Sequence, residues 1–313
     1  MRQRVLGRTR LQVSELGLGT WGLSGEGYGP VTELEQDRVI DRARSLGITL
    51  FETADCYGAG AMERRLGSRL PETGTLIITK VGTDRSSEPP RKRFDCKYLE
   101  PAIERSLERL RRNTLVVVLL HNPSPQAIER GEATGLLAKL AGAGRITAWG
   151  VSISNAEQAR AAVAQGAGVV SIPYNAFNAK DLHAVSALVK EYEVGVLAHS
   201  VLAYGMLCGQ WALDKTFSAE DHRSERWSPD EFRRRLSQLS ALRPLIGGPV
   251  LTLRAAALRF VLQNSLVGSA VLGPRGVLQL DQLVREAGKE PPYIPEDKLR
   301  ALTARLNQLG AEQ

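Results

Sequence analysis

Thr49-Leu50-Phe51-Glu52-Thr53-Ala54-Asp55-Cys56-Tyr57-Gly58 reads as a strand running into a loop. The β-prone run Thr49 to Phe51 ends on a carboxylate, Glu52, and Tyr57 follows beside Gly58 and Gly60. Helical periodicity from about Glu33 to Ser45 leads into this strand. A helix near Met62 to Arg69 leads out of it, to a strand at Leu76 to Lys80. The same order recurs down the chain. Helices at about Leu99 to Arg111, Ala133 to Ala143 and Asn155 to Gln165 precede strands at Val116 to His121, Ile146 to Ser152 and Val169 to Ile172. Helices at Leu182 to Glu191 and Thr252 to Gln263 precede strands at Val194 to His199 and Ala270 to Leu272. With the apolar strand that ends at Thr20, eight strands alternate with helices, as parallel βαβ units require.

Eight such units in 313 residues predict an α/β fold, a (β/α)8 TIM barrel in a single domain over residues 1–313. A doubly wound sheet is disfavoured, because no glycine-rich stretch matches GxGxxG ahead of a helix. Weak alternation from Arg4 to Val13 around Gly7-Arg8-Thr9 predicts an N-terminal hairpin, and Leu278 to Ala287 and Glu296 to Leu309 read as terminal helices. Residues 200–251 form a long insertion after strand 7. On a barrel such a βα loop opens onto the active-site face, so it is expected to shape a pocket or lid. Within it, Ser228-Pro229-Asp230-Glu231 has the cap, proline and acidic turn of a helix start.

Composition narrows the function classes. The chain is 43% hydrophobic and 24% charged, which suits a sizeable core under an ordinary soluble surface. Its net charge of +7 fits nucleic acid, an anionic membrane or a phosphorylated small molecule as partner. No basic stripe interleaved with aromatics and no nucleic-acid signature accompanies it, so a small anion is preferred. No run of ~18 apolar residues predicts a membrane span. Cys56, Cys96 and Cys208 are too widely spaced for a disulfide framework or metal cluster, and an odd count suits a reducing cytoplasm. The N-terminus lacks the apolar core of a signal peptide, and the four histidines show no zinc spacing.

Polar residues close strand after strand: Glu52 with Tyr57 just beyond, Lys80, His121, Ser152, His199 and Arg275. In a barrel these ends meet on one rim, where that fold carries its chemistry. A tyrosine with a pKa near 10 exchanges protons poorly at neutral pH. A nearby lysine lowers that pKa, a carboxylate keeps the lysine charged, and an imidazole orients a carbonyl oxygen. Such a set can protonate a developing alkoxide. The accompanying hydride has no source among protein side chains, which implies a nicotinamide cofactor.

Seven segments in order resemble the aldo-keto reductase family over nearly the whole length. They are Leu16-Gly17-Leu18-Gly19-Thr20-Trp21, Phe51 to Gly58, Ile77-Ile78-Thr79-Lys80, Leu119-Leu120-His121-Asn122-Pro123, Gly150-Val151-Ser152, Ile172-Pro173-Tyr174-Asn175 and Leu272-Gly273-Pro274-Arg275. The resemblance implies a (β/α)8 barrel that reduces small-molecule carbonyls with NADP(H), using an Asp-Tyr-Lys-His tetrad. It implies Tyr57 as general acid, Lys80 as its partner and His121 as the carbonyl-orienting group. Glu52 stands where the family carries aspartate, so its longer side chain must fold back to meet Lys80. Cofactor contacts are implied at Gly19, Thr20, Trp21 and Gly273, and at Ser152 for the nicotinamide carboxamide.

His199 falls where an aromatic usually stacks on the nicotinamide, and Ser200, Leu202, Gly205 and Gly209 belong to the segment resembling the pyrophosphate cover. Arg275 matches the 2′-phosphate contact, and Gln279 lies at the adenosine end. Ser171, Ile153 and Gly276 replace a glutamine, an asparagine and a serine frequent in the family. Trp21, Tyr174, Asn175, Trp211 and Trp227 are the candidate substrate-pocket lining. Two other readings stay open: a specialised biosynthetic oxidoreductase with chemistry altered by Glu52, and a cofactor-binding regulatory subunit like the potassium-channel β subunits of this family.

Overall fold

The computed structural model describes residues 1–288 and 290–311. Among these, eight parallel strands close into a barrel: β1 (Leu16–Gly19), β2 (Leu50–Glu52), β3 (Leu76–Val81), β4 (Leu115–His121), β5 (Ile146–Ser152), β6 (Val169–Pro173), β7 (Gly195–His199) and β8 (Val267–Leu272). They pair in chain order, and β8 returns to β1 through Ala270↔Leu16 and Leu272↔Leu18. Side chains alternate between the two faces of each strand. Leu50, Ile78, Val117, Leu119, Val169, Leu197 and Val271 therefore point inward and form one buried cluster. On β2 and β3 the same alternation carries Glu52 inward two residues after Leu50, and Lys80 two residues after Ile78. Outward-facing residues such as Phe51, Ile77 and Val118 pack instead under the helices.

The expected hairpin is present, with Gln3–Val5 paired antiparallel to Gln12–Ser14 around a turn at Gly7–Thr9. Its Leu6 and Val13 are wholly buried and join the barrel's inner cluster, closing one end of it. The opposite end, where Glu52, Lys80, His121 and His199 finish their strands, stays open as a cavity.

Three elements differ from the sequence reading. The segment Val81 to Phe94, between the expected strand Leu76 to Lys80 and the expected helix from Leu99, contains a short antiparallel pair, Thr83–Asp84 with Arg91–Lys92. A helix at Pro125–Glu129 was not anticipated, although Ser124 caps it through Ala127 N and Pro125 opens it. The stretch Leu182 to Glu191 divides into Lys180–Ala184 and Ser186–Glu191, because Val185 leaves helical geometry (φ −115°). The predicted helix start at Ser228 is present: its side chain accepts from Glu231 N and opens the helix Pro229–Gln238.

The insertion crosses the mouth of the barrel and is tied to the loop after β1. Asp221 bridges Tyr28, and His222 N donates to Gly27 O at 3.0 Å. Trp21 packs on both Tyr28 and His222, with ring centroids 5.2 and 4.7 Å away. No described helix is long and apolar enough to cross a membrane.

Candidate active site

Lys80 and Glu52 come from adjacent strands, and both side chains are nearly enclosed. The Lys80 ammonium donates to Glu52 Oε1, so the longer carboxylate does fold back onto the lysine. Gly19 on β1 keeps the space clear. A Cβ there would stand 2.9 Å from Val271 Cγ1 and 3.6 Å from Glu52 Oε2. Lys80 Nζ also lies 5.1 Å from the centre of the Tyr57 ring. Tyr57 meets His121 edge-on, with centroids 5.9 Å apart. Four residues from three strands and one loop thus converge.

His121 Nδ1 faces Thr83 Oγ1 at 3.3 Å and Cys56 Sγ at 3.7 Å, which leaves Nε2 without a partner among the described residues. Burial, then the charges of Lys80 and Lys92, holds the imidazole well below its usual pKa, so it is neutral at physiological pH. A neutral ring offers one N–H and one lone pair. Tyr57 departs from the sequence expectation. Burial, then the Glu52 carboxylate, pushes its phenol well above the usual value. The Lys80 ammonium beside it is paired with Glu52. In this state the phenol is a fully protonated donor.

These groups share a cavity of ≈ 920 Å³ at the open end of the barrel. Gly19 and Trp21 reach its wall from the β1 side, and Ser152 from β5. Ser152 Oγ donates to Asn122 Oδ1 at 3.0 Å. His199, Ser200, Leu202 and Gly205 line it from the start of the insertion, and Gly273, Arg275 and Gln279 from the loop after β8. Burial pushes His199 down to about 3, and its Nδ1 lies 3.0 Å from Ser171 Oγ. Ser171 itself is wholly buried behind that ring, and Thr20 is wholly buried with its hydroxyl on Glu52 O at 3.1 Å. Neither reaches the cavity wall. Gly209 is a backbone position: φ is +71°, and a Cβ would collide with Leu253 Cδ1 at 2.4 Å.

The aromatic lining expected from sequence holds only for Trp21. Tyr174 is a core residue, stacked on Phe260 and accepting from Asn264 Nδ2 at 3.0 Å. Asn175 organises its own turn, accepting from Phe177 N and Asn178 N and donating to Ser200 O. Trp211 stacks on Phe232 and meets Phe217 edge-on, and Trp227 packs tilted against Phe232, all inside the insertion. An aromatic after a strand serves core and pocket equally well, so residue type alone does not separate them.

The family model for aldo/keto reductases matches residues 15–292. The chain belongs to the aldo-keto reductase family. It is therefore an oxidoreductase. Aldo-keto reductase YhdN of Bacillus subtilis (strain 168) is 28% identical over 292 residues, which cover 90% of this chain and 87% of that protein. The solved glycerol dehydrogenase AKR11B4 from Gluconobacter oxydans matches with a TM-score of 0.84 at 24% identity, covering 99% of this chain and 97% of that one. The holo form of aldo-keto reductase AKR11C1 from Bacillus halodurans matches with a TM-score of 0.81 at 20% identity, covering 97% and 96%. At such identities the structural likeness shows the shared barrel.

A dinucleotide fits what this oxidoreductase presents. The Arg275 guanidinium donates from Nη2 to Gly29 O at 2.9 Å and Pro30 O at 3.0 Å, while its buried Nε has no protein partner. It thus keeps its charge uncompensated by any carboxylate among the described residues. One neighbour opposes a phosphate. Glu35 Oε1 accepts from Val277 N at 3.1 Å, so a protein carboxylate already covers the first turn of the helix Val277–Ala287. Sequence reading also missed Glu26, Thr83, Arg85, Lys92, Asn122, Arg223 and Arg226 on the wall. All lie in loops, the short pair after β3 or the insertion, where no periodicity marks an inward face.

Proposed function

We propose that this enzyme reduces an aldehyde, ketone or keto-sugar to the alcohol with NADP(H), Tyr57 giving the proton to the carbonyl oxygen. The observation that carries this reading is the Lys80–Glu52 ion pair set beside Tyr57 and His121 in one cavity. When bound, the nicotinamide cofactor supplies the hydride. The protein's part is to hold the carbonyl and move a proton. His121, neutral and with Nε2 free of protein partners, donates a hydrogen bond to the carbonyl oxygen from the side opposite its Thr83 contact. The Tyr57 hydroxyl shares that oxygen and releases its proton as charge develops there. A developing alkoxide is a far stronger base than a phenolate, so a phenol raised by burial still gives its proton downhill. Lys80 offsets the charge left on the phenolate, and Glu52 holds the Lys80 ammonium in place.

Ser152 and Asn122, already hydrogen-bonded to each other, would orient the carboxamide, and Arg275 would take the 2′-phosphate as a guanidinium fork. The closed Lys80–Glu52 contact favours ordinary carbonyl reduction over chemistry altered by glutamate. The three free cysteines support a cytoplasmic setting. The experiment is a cofactor-binding titration with NADPH and NADH, followed by absorbance assays on a carbonyl panel. Binding with carbonyl-dependent oxidation of the cofactor supports the proposal. Binding without turnover of any carbonyl supports the regulatory-subunit reading, and absence of both overturns the two together.

A further inference from the structure

We infer that the natural carbonyl substrate is an anion, and that Lys92, on the wall of the same cavity, holds its carboxylate or phosphate. This deepens the carbonyl-reductase reading and rests on it.

The charge balance of the wall is the starting point. Lys80 is paired with Glu52, Arg85 with Glu26, Arg223 with Asp221 and Arg254 with Glu286. Both acids on the wall, Glu26 and Glu52, are thereby committed. Lys92, Arg226 and Arg275 also line the cavity, and none has a carboxylate partner among the described residues. The two imidazoles of the wall, His121 and His199, are neutral. The cavity therefore carries three uncompensated positive charges. A nicotinamide dinucleotide accounts for Arg275 at the loop after β8. Arg226 rests on the face of Tyr204, 3.3 Å from the ring centre, within the insertion. Lys92 is left at the reaction end.

Its placement there is built rather than incidental. The short pair after β3 sets Lys92 directly across from Thr83. The ammonium donates to Thr83 Oγ1 at 2.7 Å and to His121 O at 2.8 Å. Thr83 Oγ1 in turn stands 3.3 Å from His121 Nδ1. Two neutral acceptors fix the cation next to the imidazole and leave its charge for something else. The residue is exposed, so an incoming molecule can reach it. An ammonium has three donors, and two are used here, so one remains for a ligand oxygen. Lys92 lies on the Thr83 side of His121 and the reacting oxygen on its Nε2 side, so a carbonyl that meets Tyr57 and His121 would reach Lys92 with an acidic group carried along its chain.

The test uses the purified full chain with saturating cofactor and matched substrate pairs: butanal against 4-oxobutanoate, and glyceraldehyde against glyceraldehyde 3-phosphate. A charge-assisted contact implies that at least one anionic member exceeds its neutral partner by roughly ten-fold or more in kcat/KM, mainly through KM. The pair that shows the gap says whether carboxylate or phosphate is the source. In Lys92→Met the ratio between anionic and neutral members is expected to fall close to one, and Lys92→Arg is expected to restore most of it. Added salt should shrink the ratio in the wild type. Equal rates for both members of both pairs, or a ratio that survives Lys92→Met, overturns the inference while leaving carbonyl reduction standing. A Lys92→Met loss that is equal for neutral and anionic members, or that is matched by weaker cofactor binding, also overturns it. Absence of turnover with every carbonyl would instead defeat the reading beneath.

Discussion

Asp55 shows how one residue of the opening motif acquires a property that its neighbours do not share. It is nearly enclosed, its Oδ1 has no partner among the described residues, and burial followed by the nearby Glu63 raises it to about 7. Glu63 itself accepts from Arg109 Nη1 at 3.1 Å and from the Thr79 hydroxyl at 2.6 Å. A carboxyl whose folded pKa lies above its unfolded one binds its proton more tightly in the native state. Its contribution is complete below the ordinary value of 3.8 and is lost as pH rises through about 7. Denaturant unfolding of wild type and Asp55→Asn across this window is expected to show the variant gaining relative stability toward pH 7, by a few kcal/mol in order of magnitude. Parallel curves would contradict the raised carboxyl. At this scale Tyr57, Lys80 and His121 could be read from sequence, since each ends or follows an apolar strand. Whether Glu52 reaches Lys80 could not, because a methylene's worth of reach is a matter of side-chain rotamer.

At the scale of elements, the alternation of eight apolar strands with helices made the barrel legible, and the period of two within each strand explains why the site forms where it does. Period two puts Leu50 and Glu52, or Ile78 and Lys80, on the same inner face. The apolar member packs the barrel and the polar member closes the strand. The N-terminal hairpin is the apolar stopper of that interior. Leu6→Ala removes a wholly buried side chain and is expected to cost about 2–5 kcal/mol by chemical denaturation, with the activity of the folded fraction unchanged. A second element-scale outcome concerns Glu35 at the start of the helix Val277–Ala287. Replacing it by glutamine removes a negative charge from that helix start, so NADPH binding is expected to tighten more than NADH binding. Equal changes for the two cofactors would show that the carboxylate does not face the 2′-phosphate. The short pair after β3 and the helix Pro125–Glu129 were hidden for a common reason. Each is too brief to show a period: the pair is fixed by its own cross-strand partners, and the helix by its Ser124 cap and its packing on the helices Glu132–Gly142 and Ala156–Ala164.

For the whole molecule, the surplus of basic residues finds part of its meaning in the cavity. The chain carries a net charge of +7, and three of the cations on the cavity wall face no carboxylate among the described residues. The insertion completes that wall by binding to the loop after β1, so barrel and insertion build one enclosure from segments far apart in sequence. Composition pointed to a small anionic partner, but only the folded chain shows which cations are already spent on carboxylates. The central claim is that the proposed proton donor, Tyr57, works in a site assembled for carbonyl reduction. The most direct measurement compares wild type with Tyr57→Phe, reading cofactor affinity by titration and kcat by absorbance on the best carbonyl of the panel. The expected result is retained cofactor affinity with kcat lower by ~10²–10⁴-fold, the usual worth of a positioned general acid. Turnover in Tyr57→Phe within a few-fold of wild type would contradict it.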